Sequence, residues 1–162
     1  METLASFLKQ RARINFTRLQ KQLDGLESAE AFEGRMDNWP DHPFGVGQDG
    51  SIAGIVVHLA AWKQMTLPLF TKEGRSIQRE EFNIDFECDP NDWDSILKWL
   101  YCVGEEWLKR LDALPDQAFS EERPWGETVI PFTEYAAEMM EHDVQHSSQI
   151  EYLKVLRRAR NS

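Results

Sequence analysis

Cysteine is scarce in this chain of 162 residues. Cys88 and Cys102 are the only two, they lie far apart, and they match no C-x-x-C pattern. That leaves no disulfide framework and no cysteine-rich metal cluster, and the expectation is reduced thiols in a reducing compartment. Basic residues are also in short supply. Eighteen Lys and Arg against 28 Asp and Glu give a formal charge of −10 and a pI near 4.9. A field of that sign repels phosphates, so no nucleic-acid partner is expected. No apolar run approaches the roughly 18–20 residues of a membrane span. The opening METLASFLKQRAR lacks the basic-then-apolar order of a signal peptide. No membrane partner and a cytoplasmic location are therefore expected. What remains, 41% hydrophobic and 28% charged residues, is the composition of a globular chain. Its length suits a single domain over residues 1–162 with a core that needs no covalent staples.

The periodicity is helical in four segments, and none shows the sustained alternation of a half-buried strand. An all-α fold is expected, a four-helix bundle with long connections. The first helix runs from Thr3 to Leu26, with Leu8, Ala12, Phe16, Leu19, Leu23 and Leu26 in one stripe and Thr3 as N-cap. Phe7 and Ile14 fall on another face, either scattered surface apolar groups or part of a subunit contact. Glycines and prolines punctuate residues 27–50, a connection that holds Trp39, His42 and Phe44 and reads either as a lid or as an unstructured link. The second helix opens at Ser51 as N-cap, carries Ile52, Ile55, Leu59, Trp62 and Thr66 on one face, and ends before Pro68. Residues 79–92 have no clear period and read as loop. The third helix spans Trp93 to Leu114, stopped by Pro115, and its seam includes Gly104, which either lets helices pack closely or leaves a space. The fourth begins at Phe132 with Thr133 as N-cap. It ends in Arg157, Arg158 and Arg160, where cations suit a helix C-terminus, with a local basic patch as the alternative.

Chemistry points to histidine, of which there are four. On the fourth helix Phe132, Tyr135, Met139, Ile150 and Leu153 define the buried face, and His142 and His146 fall in the same arc. Being four apart they stack one turn along the helix, backbones roughly 6 Å apart, a spacing that lets two imidazoles share an ion. Buried polar groups without partners cost about 1–3 kcal/mol, so this pair needs hydrogen bonds or a metal. His58, at the edge of the second helix's stripe, can face inward too. Three imidazoles with a fourth position open would make a catalytic rather than a structural site. HDVQH is not the zincin signature, because Asp143 follows the first His. Asp143 either orients a ligand imidazole or bonds a neighbouring helix. Gln149 either reaches a bound ligand or is a helix-edge amide, and His42 is a fourth ligand, a proton shuttle or a solvated loop residue. Cys88 and Cys102 have no visible partner base and are poor nucleophiles.

The stretch GIVVHLAAW, followed about eighty residues later by HDVQHSSQIEYL, resembles the DinB/YfiT-like superfamily of four-helix proteins. In that superfamily a His on the second helix and an H-x-x-x-H pair on the last form a metal site. The resemblance implies His58, His142 and His146 as ligands of a divalent ion such as zinc, nickel or iron. It also implies a reaction class, since members include S-transferases and isomerases that use bacillithiol, mycothiol or glutathione. The preferred expectation is transfer of a low-molecular-weight thiol to a small electrophilic substrate. A hydrolase that activates water at the metal, or a non-catalytic metal- or ligand-binding protein, are the alternatives. The catalytic and thiol-binding residues stay unassigned. A homodimer through the Phe7 and Ile14 face is expected, as is loss of metal when pH falls through the unperturbed His value of about 6.5.

Overall fold

The computed structural model describes residues 3–35, 50–71, 74–75, 87–125 and 127–160. The Thr3 hydroxyl accepts from the Ser6 amide at 3.1 Å and opens α1 (Leu4–Leu23), which ends short of the expected Leu26 although every residue of the expected stripe, Leu26 included, is buried. Gly25 at φ 70° then turns the chain in a conformation that favours glycine. A one-turn helix follows, α2 (Ser28–Ala31), capped reciprocally by Glu27 and Glu30. Four residues are too few to show a period, which is why the segment read as plain connection. His42, with Trp39 and Phe44, lies outside the described residues.

In α3 (Ile52–Thr66) the Ser51 hydroxyl accepts from the Gly54 amide at 3.0 Å, the cap that the sequence predicts. The expected one-sided burial is corrected. Every residue from Ile52 to Ala61 is buried, because α3 packs against both α4 and α5. Trp62, placed on the buried stripe by its spacing, is instead only half-buried. Pro68 falls within a 3-10 turn, Leu67–Phe70, directly after the helix. By length and composition Ile52–Phe70 could cross a membrane, contrary to the reading that no run approaches that size. Its burial inside the bundle accounts for the apolar run.

The Asp92 carboxylate caps α4 (Trp93–Ala113). Its buried residues Trp93, Ile96, Leu100, Val103, Trp107 and Leu111 face the core. The two readings of Gly104 resolve to close packing, since a Cβ there would lie 2.1 Å from the Phe16 ring of α1. Gly104→Ala gains about 1 kcal/mol of helix propensity, but it forces a buried aromatic ring aside, and overpacking costs about 1–3 kcal/mol. Net destabilisation is expected, read as a lower urea midpoint. A midpoint at or above wild type would contradict this packing.

The connection after α4 holds a hairpin that periodicity did not reveal. Strand β1 (Glu122–Trp125) pairs antiparallel with β2 (Thr128–Pro131), Arg123 opposite Ile130. Each strand has only four residues and each contains a proline, which a two-stranded sheet tolerates because both strands are edges. Arg123 anchors it: the guanidinium is buried, donates from Nε to the Leu69 carbonyl at 3.1 Å, and pairs with Glu121. Helix α5 (Phe132–Arg160) grows straight out of β2. Thr133 is therefore not its cap, and the Phe132 amide donates to the Glu121 carbonyl at 2.9 Å instead. At the far end Arg157 donates to the carbonyls of Glu30 and Glu33 and pairs with the Glu33 carboxylate. That arginine holds α2 against α5.

Four long helices thus close a ring in which α1 and α3 each pack on both α4 and α5. The fold is helical as expected, with one small hairpin added.

Candidate metal centre

The crossing of α3 and α5 brings together the three histidines singled out in the sequence. His58 comes from the middle of α3, and His142 and His146 come from successive turns of α5. His58 and His146 are 2% and 1% exposed, while His142 is half-buried at the rim. Their Nε2 atoms converge: His58 to His142 is 2.9 Å and His146 to His142 is 3.1 Å. Hydrogen bonding alone accounts poorly for this arrangement. A neutral imidazole nitrogen offers one in-plane lone pair or one N–H, so the His142 Nε2 cannot make two well-aligned bonds. A single cation satisfies all three lone pairs at once. Metal–nitrogen bonds of about 2.0–2.1 Å around a tetrahedral centre place neighbouring nitrogens about 3.3 Å apart, so the three atoms need little movement to share one ion.

Tautomer chemistry agrees. The Nδ1 of His146 lies 2.7 Å from the Gln149 carbonyl oxygen, an acceptor, so Nδ1 carries the proton and Nε2 presents a lone pair toward the other two rings. Gln149 thus takes neither of the roles expected for it, a contact to a bound ligand or a plain helix-edge amide, and instead orients the His146 ring. The electrostatics disfavour a charge on two of the three rings. Burial, reinforced by His146, His58 and Lys63, pushes the His142 pKa down to about 3. Burial also lowers His146, against the opposing pull of its Gln149 bond and the Asp143 charge. The expected window for proton competition, built on an unperturbed value, is thereby moved to lower pH.

Asp143 takes the second of its two readings. Its Oδ2 accepts from the Lys63 ammonium on α3 at 2.8 Å, and both side chains are almost fully buried. Lys63 was missed by sequence reasoning, since a lone lysine in an apolar helix carries no periodic signal. Aromatic rings flank the histidines. Trp62 lies 6.1 Å from His58 and 5.7 Å from His142, centre to centre, with Trp125 of the hairpin 6.5 Å beyond. Among the described residues the Trp62 Nε1 has no hydrogen-bond partner although it is shielded from solvent. Among the described residues Cys88 and Cys102 form no disulfide, the first is buried and the second exposed, and neither joins the histidine cluster.

A helical bundle whose α3 and α5 bring three imidazoles to one point is the class that fold and site define. The model of the DinB superfamily matches residues 15–150, and the chain belongs to that superfamily. No curated protein and no solved structure matches it.

Proposed function

We propose that the protein is an enzyme that holds a divalent ion (zinc, nickel or iron) on His58, His142 and His146 and transfers a low-molecular-weight thiol to a small electrophile. The observation that carries this reading is the donor count. Among the described residues three imidazoles and no fourth ligand group share the point, and structural zinc sites close four positions whereas catalytic sites leave one open. A bound ion there supplies the Lewis acidity that keeps a thiol deprotonated near neutral pH. The chain's residues do the rest. The neutral imidazoles hold the ion, Gln149 keeps Nε2 of His146 free to ligate, and Trp62 and Trp125 present flat apolar surface beside half-buried His142.

Glutathione or bacillithiol offered with an electrophile should be consumed by the wild type and not by His142→Ala. Ester or amide hydrolysis without thiol would favour the hydrolase instead. Metal binding without any turnover would favour a binding protein. Gln149→Leu should lower metal affinity by about 10–100-fold, the usual effect of losing a group that orients a ligand. A chelator competition giving the wild-type value would remove that role.

We also propose that two copies pair through the groove between α1 and α5. Phe7 is 46% and Val144 48% exposed there, beside Arg11 and Glu141 in a groove of about 600 Å³. A two-fold contact would bring each copy's arginine toward the other's glutamate. Sedimentation at micromolar concentration should give twice 18.9 kDa, and the monomer mass would contradict it.

A further inference from the structure

Resting on the metal reading above, we propose that Lys63 and Asp143 are positioning residues: their buried ion pair sets the alignment of α3 against α5 on which convergence of the three imidazoles depends.

The pair sits where the four long helices meet. Lys63 comes from α3 and Asp143 from α5, and the ammonium lies 5.1 Å from the Trp107 ring of α4 and 6.0 Å from the Phe16 ring of α1. Both side chains are nearly sealed from solvent, at 4% and 6% exposure. A buried ion pair is a weak stabiliser, because desolvating two charges offsets most of their attraction unless every remaining polar site is also bonded. Here one is not. The Asp143 Oδ1 is buried with no hydrogen-bond partner among the described residues. Apolar residues of similar volume would stabilise this part of the core at least as well, so the pair calls for another role.

Direction is what an ion pair adds and apolar packing lacks. A slide that parted the 2.8 Å N–H···O bond would leave two buried charges unpaired, a penalty that misaligned apolar contacts do not carry. The placement matches this role. Lys63 follows His58 by five residues on α3, about 7.5 Å along the axis, while Asp143 lies between His142 and His146 on α5. The bond therefore links the two ligand-bearing helices close to the point where His58 must meet the other two rings. Functional constellations need ligands held to about 0.5 Å. A slide of one residue's rise, about 1.5 Å, would separate nitrogens that now lie 2.9 Å apart.

Two variants test the proposal, each measured as full-length protein for zinc affinity by chelator competition, for the visible absorption of bound cobalt, and for the thermal midpoint of the metal-free form. Lys63→Met/Asp143→Leu replaces the pair with apolar groups of similar size. It should fold with a metal-free midpoint at or above wild type, yet bind zinc about 10–100-fold more weakly with an altered cobalt spectrum. Asp143→Glu keeps both charges and the bond but lengthens the link by one methylene. It should also lose affinity and shift the cobalt bands, and it decides the question alone if the apolar variant fails to fold. A purely structural pair predicts the opposite: wild-type affinity and spectrum in every folded variant, which would overturn the proposal and leave the metal centre standing. Wild-type protein that binds neither zinc nor cobalt would overturn both.

Discussion

Replacing His142 or His146 by alanine is expected to weaken zinc binding by at least about 100-fold. Tetrahedral structural sites yield about 10–16 kcal/mol from four ligands, so one donor is worth about 3 kcal/mol. The loss should reach stability only through the ion. Zinc at a thousand times its dissociation constant adds about 4 kcal/mol to the folded state, which in a chain of this size moves the thermal midpoint by about 8–16 °C. Wild type should show that increment on adding zinc, and the variants should not. Metal-free midpoints should change little for half-buried His142→Ala and fall for His146→Ala, which leaves a cavity in the core and the Gln149 oxygen without its partner. A variant that keeps the increment would show that the altered histidine is not a ligand.

Acid should destabilise the metal-free protein through the same rings. In the unfolded chain each histidine titrates near 6.5; in the folded chain His142 is held down at about 3 and His146 is also lowered. Between those values the unfolded state binds more protons, so stability rises with pH across the window. The contribution is fully present above about 6.5 and is lost as pH falls toward about 3. For half-buried His142 this is on the order of 2–3 kcal/mol after discounting for its partial exposure. A His142→Gln/His146→Gln double variant cannot titrate there. Its stability should fall less than wild type's between pH 7 and 4 with chelator present, the carboxylate contribution being common to both. Parallel curves would contradict the lowered values. The depressed pKa values also delay proton competition, so the loaded wild type should keep its ion at pH 5.5 rather than release it near 6.5.

How much of this the sequence carried depends on whether the signal was local. Ser51 as a cap, Pro115 as a stop and the α1 stripe rest on contacts within a few residues, and each stands in the structure as expected. The histidines were readable for a related reason. A spacing of four on a helix fixes direction, and His58 needed only to lie at the edge of an apolar run. Features that depend on what packs against an element were not readable. Helix α3 is apolar all round because two neighbours cover it, so its spacing could not say that Trp62 would be partly uncovered. Thr133 looked like a cap until the hairpin supplied the backbone partner instead. Asp143 and Lys63 are eighty residues apart, and no one-dimensional pattern links a lone lysine in one helix to an aspartate in another.

Metal analysis of freshly purified wild type beside a His58→Ala/His142→Ala/His146→Ala variant tests the central claim most directly. Elemental quantitation should find about one divalent ion per wild-type chain and none retained by the variant. Wild type with metal well below one per chain after zinc, nickel and iron have each been supplied, or a variant that retains the wild-type amount, would contradict it.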